Sequence, residues 1–290
     1  MPELPEVEST VLKLKREILG RKILSFWTDF PQNIKKPTSL SFFKKLLLKN
    51  KILEIKRRGK NILFFLSNDY VLLFHLKLTG HFLLGNWERK KGKWIPKTKD
   101  SLSDRVNSYL HFILWLDDGR QLAISDLRKF TKIMLFERGE LKKELGKLGL
   151  EPLEKNFTFE KFKEIIKNKK KGIIKKVLID QTLIAGIGNI YSDEILWRAK
   201  VHPKKEIDKL SDKHLKKIYK NMIVLLKEAI KLGGESFSDF RDIFGKKGLF
   251  DKKRRVYKRE KEKCYRCGFL IERIKIDRRS SYFCPNCQKL

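Results

Sequence analysis

The stretch that decides the C-terminal fold is Cys264-Tyr265-Arg266-Cys267, followed after sixteen residues by Cys284-Pro285-Asn286-Cys287. Two Cys-x2-Cys pairs at this separation place four thiolates on two turns, as in a closed structural zinc site. Rubredoxin-like iron on the same thiolates, or a redox-active pair, are the alternatives. Because four sulfur ligands leave no position for water, we expect one Zn²⁺ that stabilises a hairpin and does not catalyse.

The finger is also strongly basic. Its cationic residues are Arg266, Arg273, Lys275, Arg278 and Arg279. A zinc hairpin with this charge fits an element that contacts DNA phosphates. A tail that only stabilises the fold is the alternative.

The segment before the finger has the periodicity of helices. From about residue 158 apolar residues recur at helical spacing, and in the clearest case Ser211 is placed to cap a helix that Gly233-Gly234 ends. The apolar positions of that helix are Leu215, Ile218, Tyr219, Met222, Leu225, Leu226 and Ile230. We expect a second, helical domain, preceded by a connector with one short helix.

The first half of the chain combines one helix with many strands. Apolar residues three and four apart predict one helical face at Leu4, Val7, Val11, Leu14 and Ile18. Runs rich in β-branched and aromatic residues then alternate with turn signals, at residues 23–27, 52–56, 62–66, 71–76, 109–116 and 133–136. This pattern predicts an antiparallel β-sandwich or barrel packed with the helix. Residues 86–107 are lysine-rich and without a period, which predicts an exposed basic loop.

The composition favours a polyanionic partner. The 290 residues carry 68 Lys and Arg against 35 Asp and Glu, a formal net charge of +33. This excess excludes an ordinary neutral cytosolic enzyme and favours nucleic acid over a membrane surface, because each neutralised phosphate releases condensed counterions. No apolar run approaches the ~20 residues that span a bilayer. The acidic N-terminus is unlike a secretory signal, so we expect a cytoplasmic protein with reduced cysteines.

The N-terminus reads Met1-Pro2-Glu3-Leu4-Pro5-Glu6-Val7-Glu8. Proline and acidic residues favour the first turn of a helix, and this structural role alone explains the pattern. A catalytic role requires loss of Met1, which leaves Pro2 with a free secondary amine beside Glu3. An α-amino group has a pKa near ~8 against ~10.4 for Lys, so a larger fraction is nucleophilic at neutral pH and can form an iminium with a sugar carbon.

Three motifs, in order, resemble one family. The opening Pro-Glu-Leu-Pro-Glu-Val-Glu, the stretch Gln-Thr-Leu-Ile-Ala-Gly-Ile-Gly-Asn-Ile-Tyr at 181–191 and the four-cysteine finger together resemble bacterial formamidopyrimidine-DNA glycosylase. The resemblance implies an α+β fold: an N-terminal antiparallel β-sandwich with flanking helices, a C-terminal helix-two-turn-helix domain and a four-cysteine β-hairpin zinc finger. The expected divisions are 1–138, a connector at 139–157, 158–255 with the lesion-capping loop, and 256–290.

The resemblance also implies catalytic roles. Pro2 would attack the anomeric carbon of the damaged nucleotide, and Glu3 would serve as general acid and base. Glu6 would be a structural carboxylate that positions the N-terminal turn. Lys60 would contact a phosphate and assist the chemistry, although from the residues alone it reads as a solvated turn lysine.

Further DNA contacts are implied by the same resemblance. Phosphates would be held by Lys60, His75, Lys175, Asn189 and Arg279. The glycines of the 186–189 turn fit this role because they let backbone N–H groups approach a phosphate at a helix N-terminus. For His75 a core position is the alternative.

Base flipping needs side chains that fill the gap left in the duplex. The resemblance assigns Arg128 and Phe130 to this task, with Leu78 where the family usually has Met. A core position is the alternative for Leu78 and Phe130. The segment from Ser236 to Phe250 corresponds to the family loop that closes over the flipped base.

The expected function is therefore that of a monomeric, bifunctional base-excision repair enzyme. It would remove oxidised purines from damaged double-stranded DNA through a Pro2 Schiff base, followed by β- and δ-elimination. An enzyme for oxidised pyrimidines, resembling endonuclease VIII, is an alternative that Leu4 disfavours, because that branch typically has Gly there. A catalytically silent DNA- or RNA-binding protein is the second alternative.

Overall fold

A computed structural model of the chain describes residues 1–169, 171–236 and 239–290. It contains two compact units. The N-terminal unit comprises Met1–Gly146 with Ile230–Asp251, and the C-terminal unit comprises Lys147–Ala229 with Lys252–Leu290. Of the helices in the described ranges, none has the length and apolar character that a bilayer crossing requires.

The helices of the described ranges are α1 (Leu4–Ile18), α2 (Leu40–Leu47), α3 (Leu141–Leu145), α4 (Phe159–Asn168), α5 (Ile174–Ile179), α6 (Asn189–Ala199) and α7 (Asp212–Lys231). The strands are β1 (Ile23–Thr28), β2 (Ile34–Lys36), β3 (Ile52–Arg58), β4 (Asn61–Leu66), β5 (Tyr70–His75), β6 (His81–Gly85), β7 (Trp87–Lys90), β8 (Lys93–Pro96), β9 (Leu110–Leu116), β10 (Gln121–Ser125), β11 (Lys132–Glu137), β12 (Glu272–Ile276) and β13 (Arg279–Phe283).

The N-terminal unit is a β-sandwich, as predicted. One sheet has the strand order β1-β9-β10-β6 and the other has the order β2-β11-β5-β4-β3. Side chains from both sheets and from α1 form one buried core, in which the Phe74 and Phe82 rings from opposite sheets lie 4.9 Å apart, edge to face. α1 contributes Val7, Val11 and Leu14, so the predicted helical face is confirmed as a core face.

One strand pair departs from the antiparallel prediction. β2 pairs with β11 in parallel, with Ile34 opposite Ile133. Parallel neighbours need a long connection, and here about a hundred residues separate the two strands. The sequence patterns also did not predict β2, β6, β10 or α2.

Most of the segment 86–107 is exposed, as predicted, but the prediction that it is a loop was wrong. Antiparallel β7 and β8 form a hairpin there, with Trp87 opposite Pro96. Trp87 is buried, and Trp94 packs between Trp27 and Trp115 on the outer face of the four-stranded sheet. These contacts come from distant strands, so the local sequence does not reveal them.

The C-terminal unit contains α4 to α6, most of α7 and the finger hairpin β12–β13. The Ser211 hydroxyl accepts the His214 backbone N–H, which agrees with the predicted cap of α7. Gly233 and Gly234 adopt φ of 75° and 79° beyond the end of α7, a left-handed conformation that favours glycine. Residues 230–251, which the sequence-based division assigned to the helical domain, belong to the N-terminal unit.

Candidate active site and nucleic-acid interface

The N-terminal turn is buried and fixed by one carboxylate. Pro2 and Glu3 are buried, whereas Met1 is exposed. Glu6 lies in the first turn of α1, where one oxygen accepts the Glu3 backbone N–H at 2.7 Å and the other accepts the Glu235 N–H at 2.8 Å. Glu6 thereby joins the residue after Pro2 to the segment that follows α7. This geometry fits the structural role expected for Glu6.

Close packing at this junction requires glycine. A Cβ on Gly234 would lie 2.6 Å from Glu6 Oε1, and its φ of 79° is already left-handed. A Cβ on Gly248 would lie 2.3 Å from the Gly234 carbonyl oxygen. The ends of the expected lesion-capping loop are therefore set against the Pro2 turn. Residues 237 and 238 of that loop lie outside the described residues.

A small cavity borders Pro2. Its volume is about 10 Å³, and its lining includes Met1, Pro2, Leu78, Glu235 and Phe240. The structure thus brings the expected nucleophile and the expected apolar wedge, Leu78, to the same cavity within the N-terminal unit.

His75 and Lys60 lie at neighbouring strand ends. Lys60 is buried in the turn between β3 and β4, and His75 ends β5. Burial, with help from the charges of Lys77 and Lys60, lowers the pKa of His75 to about 4. His75 Nδ1 accepts the Lys77 N–H at 3.0 Å, so the neutral ring carries its proton on Nε2. His75 can therefore donate one hydrogen bond to a phosphate at neutral pH.

The three residues expected to fill the flipped-base gap are accessible. Leu78 and Phe130 are 37% and 48% exposed and line one cavity of about 470 Å³, so neither is a core residue. The Arg128 guanidinium stacks on Phe130, 4.6 Å from the ring centre. Large exposed apolar side chains beside a cation suit insertion between bases.

A buried carboxylate that the sequence analysis did not assign holds the turns bearing these residues. Asp126 accepts the Thr79 hydroxyl, the Thr131 N–H at 2.7 Å and the Arg128 N–H at 3.3 Å. Asp126 thus connects the Leu78 turn to the Arg128–Phe130 turn. It lies within the same motif as Arg128, so adjacency to that motif was the available signal.

In the C-terminal unit the expected phosphate residues do not all face solvent. Lys175 is 1% exposed, and its Nζ lies 2.6 Å from an Asp193 oxygen and 3.1 Å from the Asn189 carbonyl oxygen. Lys175 is therefore engaged within the protein, and the phosphate contact that the resemblance implies stays a prediction. The Asn189 side-chain amide donates to the Ser280 carbonyl at 2.7 Å, next to exposed Arg279. Asn189 and Arg279 are therefore close, with Lys175 buried beneath them.

Two consecutive carboxylates on α6 attach the finger. Asp193 accepts the Ser281 hydroxyl and the Tyr282 N–H, both on β13. Glu194 accepts the N–H groups of Arg255, Val256 and Tyr257, all at 2.9–3.0 Å. Burial raises the pKa of both carboxyls, while these hydrogen bonds and Lys175 oppose the shift. Both residues lie two and three positions after the 181–191 motif, although the sequence analysis gave them no role.

The four cysteines fit a zinc ion. Their sulfur atoms all lie within 4.8 Å of one another, and Cys267 Sγ is 3.4 Å from the sulfurs of Cys284 and Cys287. Tetrahedral Zn–S bonds of ~2.3 Å place sulfurs ~3.8 Å apart, between these limits. The chemistry of four thiolates, with no oxygen ligand, is that of a structural zinc site.

Comparison with known families decides the identity. Residues 1–133 match the formamidopyrimidine-DNA glycosylase N-terminal domain, 148–241 match its H2TH domain, and 261–290 match the zinc finger found in FPG and IleRS. The chain belongs to the formamidopyrimidine-DNA glycosylase family. The resemblance, the α+β fold and the structural zinc site are thereby confirmed.

Relatives in this family match the present chain over nearly its full length. The formamidopyrimidine-DNA glycosylase of Ligilactobacillus salivarius is 37% identical, over 99% of both chains, and that of Ureaplasma parvum is 37% identical, over 99% of this chain and 100% of its own. A complex of Lactococcus lactis Fpg with DNA containing an abasic site is 34% identical, with a TM-score of 0.86 over 99% of this chain and 100% of that one.

A second Lactococcus lactis complex extends the range of lesions. It contains oxidised pyrimidine DNA and matches with a TM-score of 0.85 and 34% identity, over the whole length of both chains.

Proposed function

We propose that this protein is a bifunctional DNA glycosylase and AP lyase that excises oxidised purines, such as 8-oxoguanine and formamidopyrimidines. The observation that carries the proposal is the buried turn in which Pro2 and Glu3 are held by Glu6 against Glu235. Family membership and relatives solved with abasic-site and Fapy-dG DNA support it.

The chemistry follows from a free Pro2 amine after loss of Met1. The nitrogen lone pair forms a bond to C1′ of the flipped nucleotide, and the bond from C1′ to the base breaks, with the electron pair leaving on the base. Glu3 donates a proton to the sugar ring oxygen as the ring opens and the iminium forms. Glu3, now a carboxylate, takes up the C2′ proton as the C3′–O bond breaks and the 3′-phosphate leaves with its electron pair. Loss of the C4′ proton to the same base then breaks the C5′–O bond and expels the 5′-phosphate, and water hydrolyses the remaining Schiff base to free Pro2.

Positive charge and a neutral histidine position the strand. Lys60, His75 and Arg279 would contact phosphates, with His75 acting through its Nε2–H. Leu78, Arg128 and Phe130 would occupy the gap left by the flipped base. Lys175 would also act indirectly, because its ion pair fixes Asp193.

Borohydride trapping tests the proposal. Protein whose N-terminus is verified by sequencing is reduced on a duplex with one 8-oxoguanine opposite cytosine, beside the same duplex with an oxidised pyrimidine. We expect a covalent complex on the purine duplex that protein with Met1 retained does not form, because there the Pro2 nitrogen is part of an amide bond and has no free lone pair, although this protein should still bind. Equal trapping by protein that retains Met1 would contradict the nucleophile assignment.

The other outcomes separate the alternatives. Trapping mainly on the pyrimidine duplex would favour the alternative enzyme for oxidised pyrimidines. The complex of a relative with oxidised pyrimidine DNA is the reason to include this duplex. Tight binding without trapping, in protein with a free Pro2, would favour a silent DNA-binding protein.

We also propose that the enzyme acts as a cytoplasmic monomer on chromosomal DNA. The catalytic residues named above all lie in one chain. Light scattering should give a mass near 34.5 kDa in solution. A mass of twice that value would contradict the monomer.

A further inference from the structure

The β7–β8 hairpin borders a second large cavity, which we call the hairpin groove. Its volume is about 830 Å³, and it lies between the hairpin and parts of β1 and β9. It shares no lining residue with the cavities at Pro2 and Leu78. Its size is that of a site for a nucleotide-sized group.

Aromatic rings form one wall of the hairpin groove. Trp27 and Trp94 both line it, are half-buried, and meet edge to face with ring centres 5.2 Å apart. The Trp115 ring also packs against Trp94, with ring centres 5.8 Å apart. Rigid, partly exposed rings of this kind are surfaces on which an unpaired base can stack.

The charge of the hairpin groove is positive and uncompensated. Its two acidic residues are already paired, Glu88 with Lys90, and Asp29 with His111 at 2.9 Å. Lys93, Lys97 and Lys99 are exposed and have no carboxylate partner among the described residues. Cations next to stacking rings form the combination that binds single-stranded nucleic acid.

The hairpin groove also adjoins the surface expected to fill the flipped-base gap. Asp29 lines the groove, and its carboxylate lies 3.8 Å from Lys129 Nζ. Lys129 also lines the Leu78–Phe130 cavity, and so does Phe30, the residue that follows Asp29 in the chain. This continuity within one unit, together with the charge, favours a nucleic-acid strand over a protein partner.

We propose that the hairpin groove binds an unpaired stretch of nucleic acid, with phosphates on Lys93, Lys97 and Lys99 and a base stacked against Trp94 and Trp27. This binding goes beyond the excision reaction, because it requires no lesion and no free Pro2 amine.

The first test is charge reversal in the full-length protein. Binding of a labelled oligo(dT) of about 12 nucleotides is measured over a salt series for Lys93→Glu/Lys97→Glu/Lys99→Glu. The matched control is Lys44→Glu/Lys45→Glu/Lys51→Glu, which changes the net charge equally at exposed positions outside the groove. We expect at least about a tenfold loss of affinity and a fall of about 2 in the salt slope for the groove variant, with about twofold loss or less for the control. Equal losses would overturn the proposal.

The second test concerns stacking. Trp94→Phe keeps an aromatic ring, and the indole N–H of Trp94 has no hydrogen-bond partner among the described residues, so no bond is lost. We expect tryptophan quenching by oligo(dT) to fall by more than half in this variant and to persist in Trp87→Phe, a buried residue outside the groove lining. Unchanged quenching in Trp94→Phe would overturn base stacking.

A duplex arm separates this proposal from the proposed function. The groove charge variant should bind a blunt, lesion-free duplex of the same length with nearly wild-type affinity, and it should still be trapped on 8-oxoguanine DNA at saturating protein. Loss of duplex binding as large as the loss of oligo(dT) binding would show simple charge attraction and overturn the proposal. Failure of wild-type trapping would refute the glycosylase assignment and leave the oligo(dT) result standing.

Discussion

Glu6 in the N-terminal unit and Asp193 in the C-terminal unit each connect a helix to a distant segment, but different groups stabilise the two carboxylates. Each is a buried helical carboxylate that fixes a segment far away in sequence. Glu6 accepts backbone N–H groups from Glu3 and Glu235 at the start of α1. Asp193 lies inside α6, at 0% side-chain exposure, beside the charged end of Lys175.

Position on the helix explains the difference. The first turn of a helix offers unpaired N–H groups and the positive end of the dipole, which stabilise a carboxylate such as Glu6. Further along α6 the helix's own N–H groups are bonded to one another, so Asp193 takes its donors from outside the helix, and Lys175 is one of them.

The largest effect should come from removing zinc, because this leaves the Asp193 contacts as the main attachment of β13. In Cys267→Ser we expect loss of zinc, loss of amide protection in β12–β13, and strand cleavage reduced at least about a hundredfold, since structural zinc contributes ~10–16 kcal/mol in comparable fingers. Metal analysis, hydrogen exchange and a nicking assay measure this. Amides of β9 are the internal control, and a protected finger hairpin without zinc would contradict the expectation.

Asp193→Asn should have the next largest effect. It leaves the buried Lys175 charge without its carboxylate, which costs about 3–5 kcal/mol in comparable sites. Denaturant unfolding of the variant measures the loss. Asp212→Asn, at an exposed carboxylate on α7, is the control and should be nearly neutral. A similar small effect at both sites would mean that Lys175 is held by its other contacts.

His75 should make stability depend on pH. Its folded pKa of about 4 lies below the unfolded value of ~6.5, so between these values the unfolded chain binds a proton that the folded chain does not. Stability should therefore decrease as pH falls through this window, by up to about 3 kcal/mol. The free energy of unfolding at pH 7 and pH 4.5, compared between wild type and His75→Asn, isolates the contribution of His75. An equal loss of stability in both proteins would refute this contribution.

Glu6→Gln should have the smallest effect on stability. One carboxylate oxygen becomes an NH2 group facing an N–H donor, at a cost of about 1–3 kcal/mol. The rate of borohydride trapping should fall more than binding, because the Pro2 turn loosens. Glu17→Gln, at the other end of α1, should leave the trapping rate unchanged. Equal trapping rates for both variants would remove Glu6 from the positioning of Pro2.

The sequence predicts elements whose pattern is local. The three-and-four spacing from Leu4 to Ile18 predicted the bounds of α1, and the cysteine spacing predicted the finger. β10 was missed because its only apolar residues are Leu122, Ala123 and Ile124, a run too short to indicate a strand by itself. Its terminal Gln121 also depends on a partner far away in sequence, the Trp87 backbone N–H.

The candidate site divides in the same way. Pro2, Glu3 and the cysteines stand in motifs that can be read directly. The roles of Asp126 and Asp193 depend on partners 47 and 88 residues away, Thr79 and Ser281, which no local pattern links to them. The burial of Lys175 likewise follows from packing between α5 and α6, and its sequence neighbours do not reveal it.

Asp193 and Glu194 are adjacent on α6 and bind the finger at two places. Asp193 binds the strand β13, and Glu194 binds the chain that leads into the finger at 255–257. The finger and α6 must therefore move as one body. The conformational entropy of ordering this arm is lost when the chain folds, before any DNA arrives, so less is lost on binding. An arm prepared in this way lengthens the residence time of a complex more than it speeds its formation, since related interfaces differ mainly in their dissociation rates.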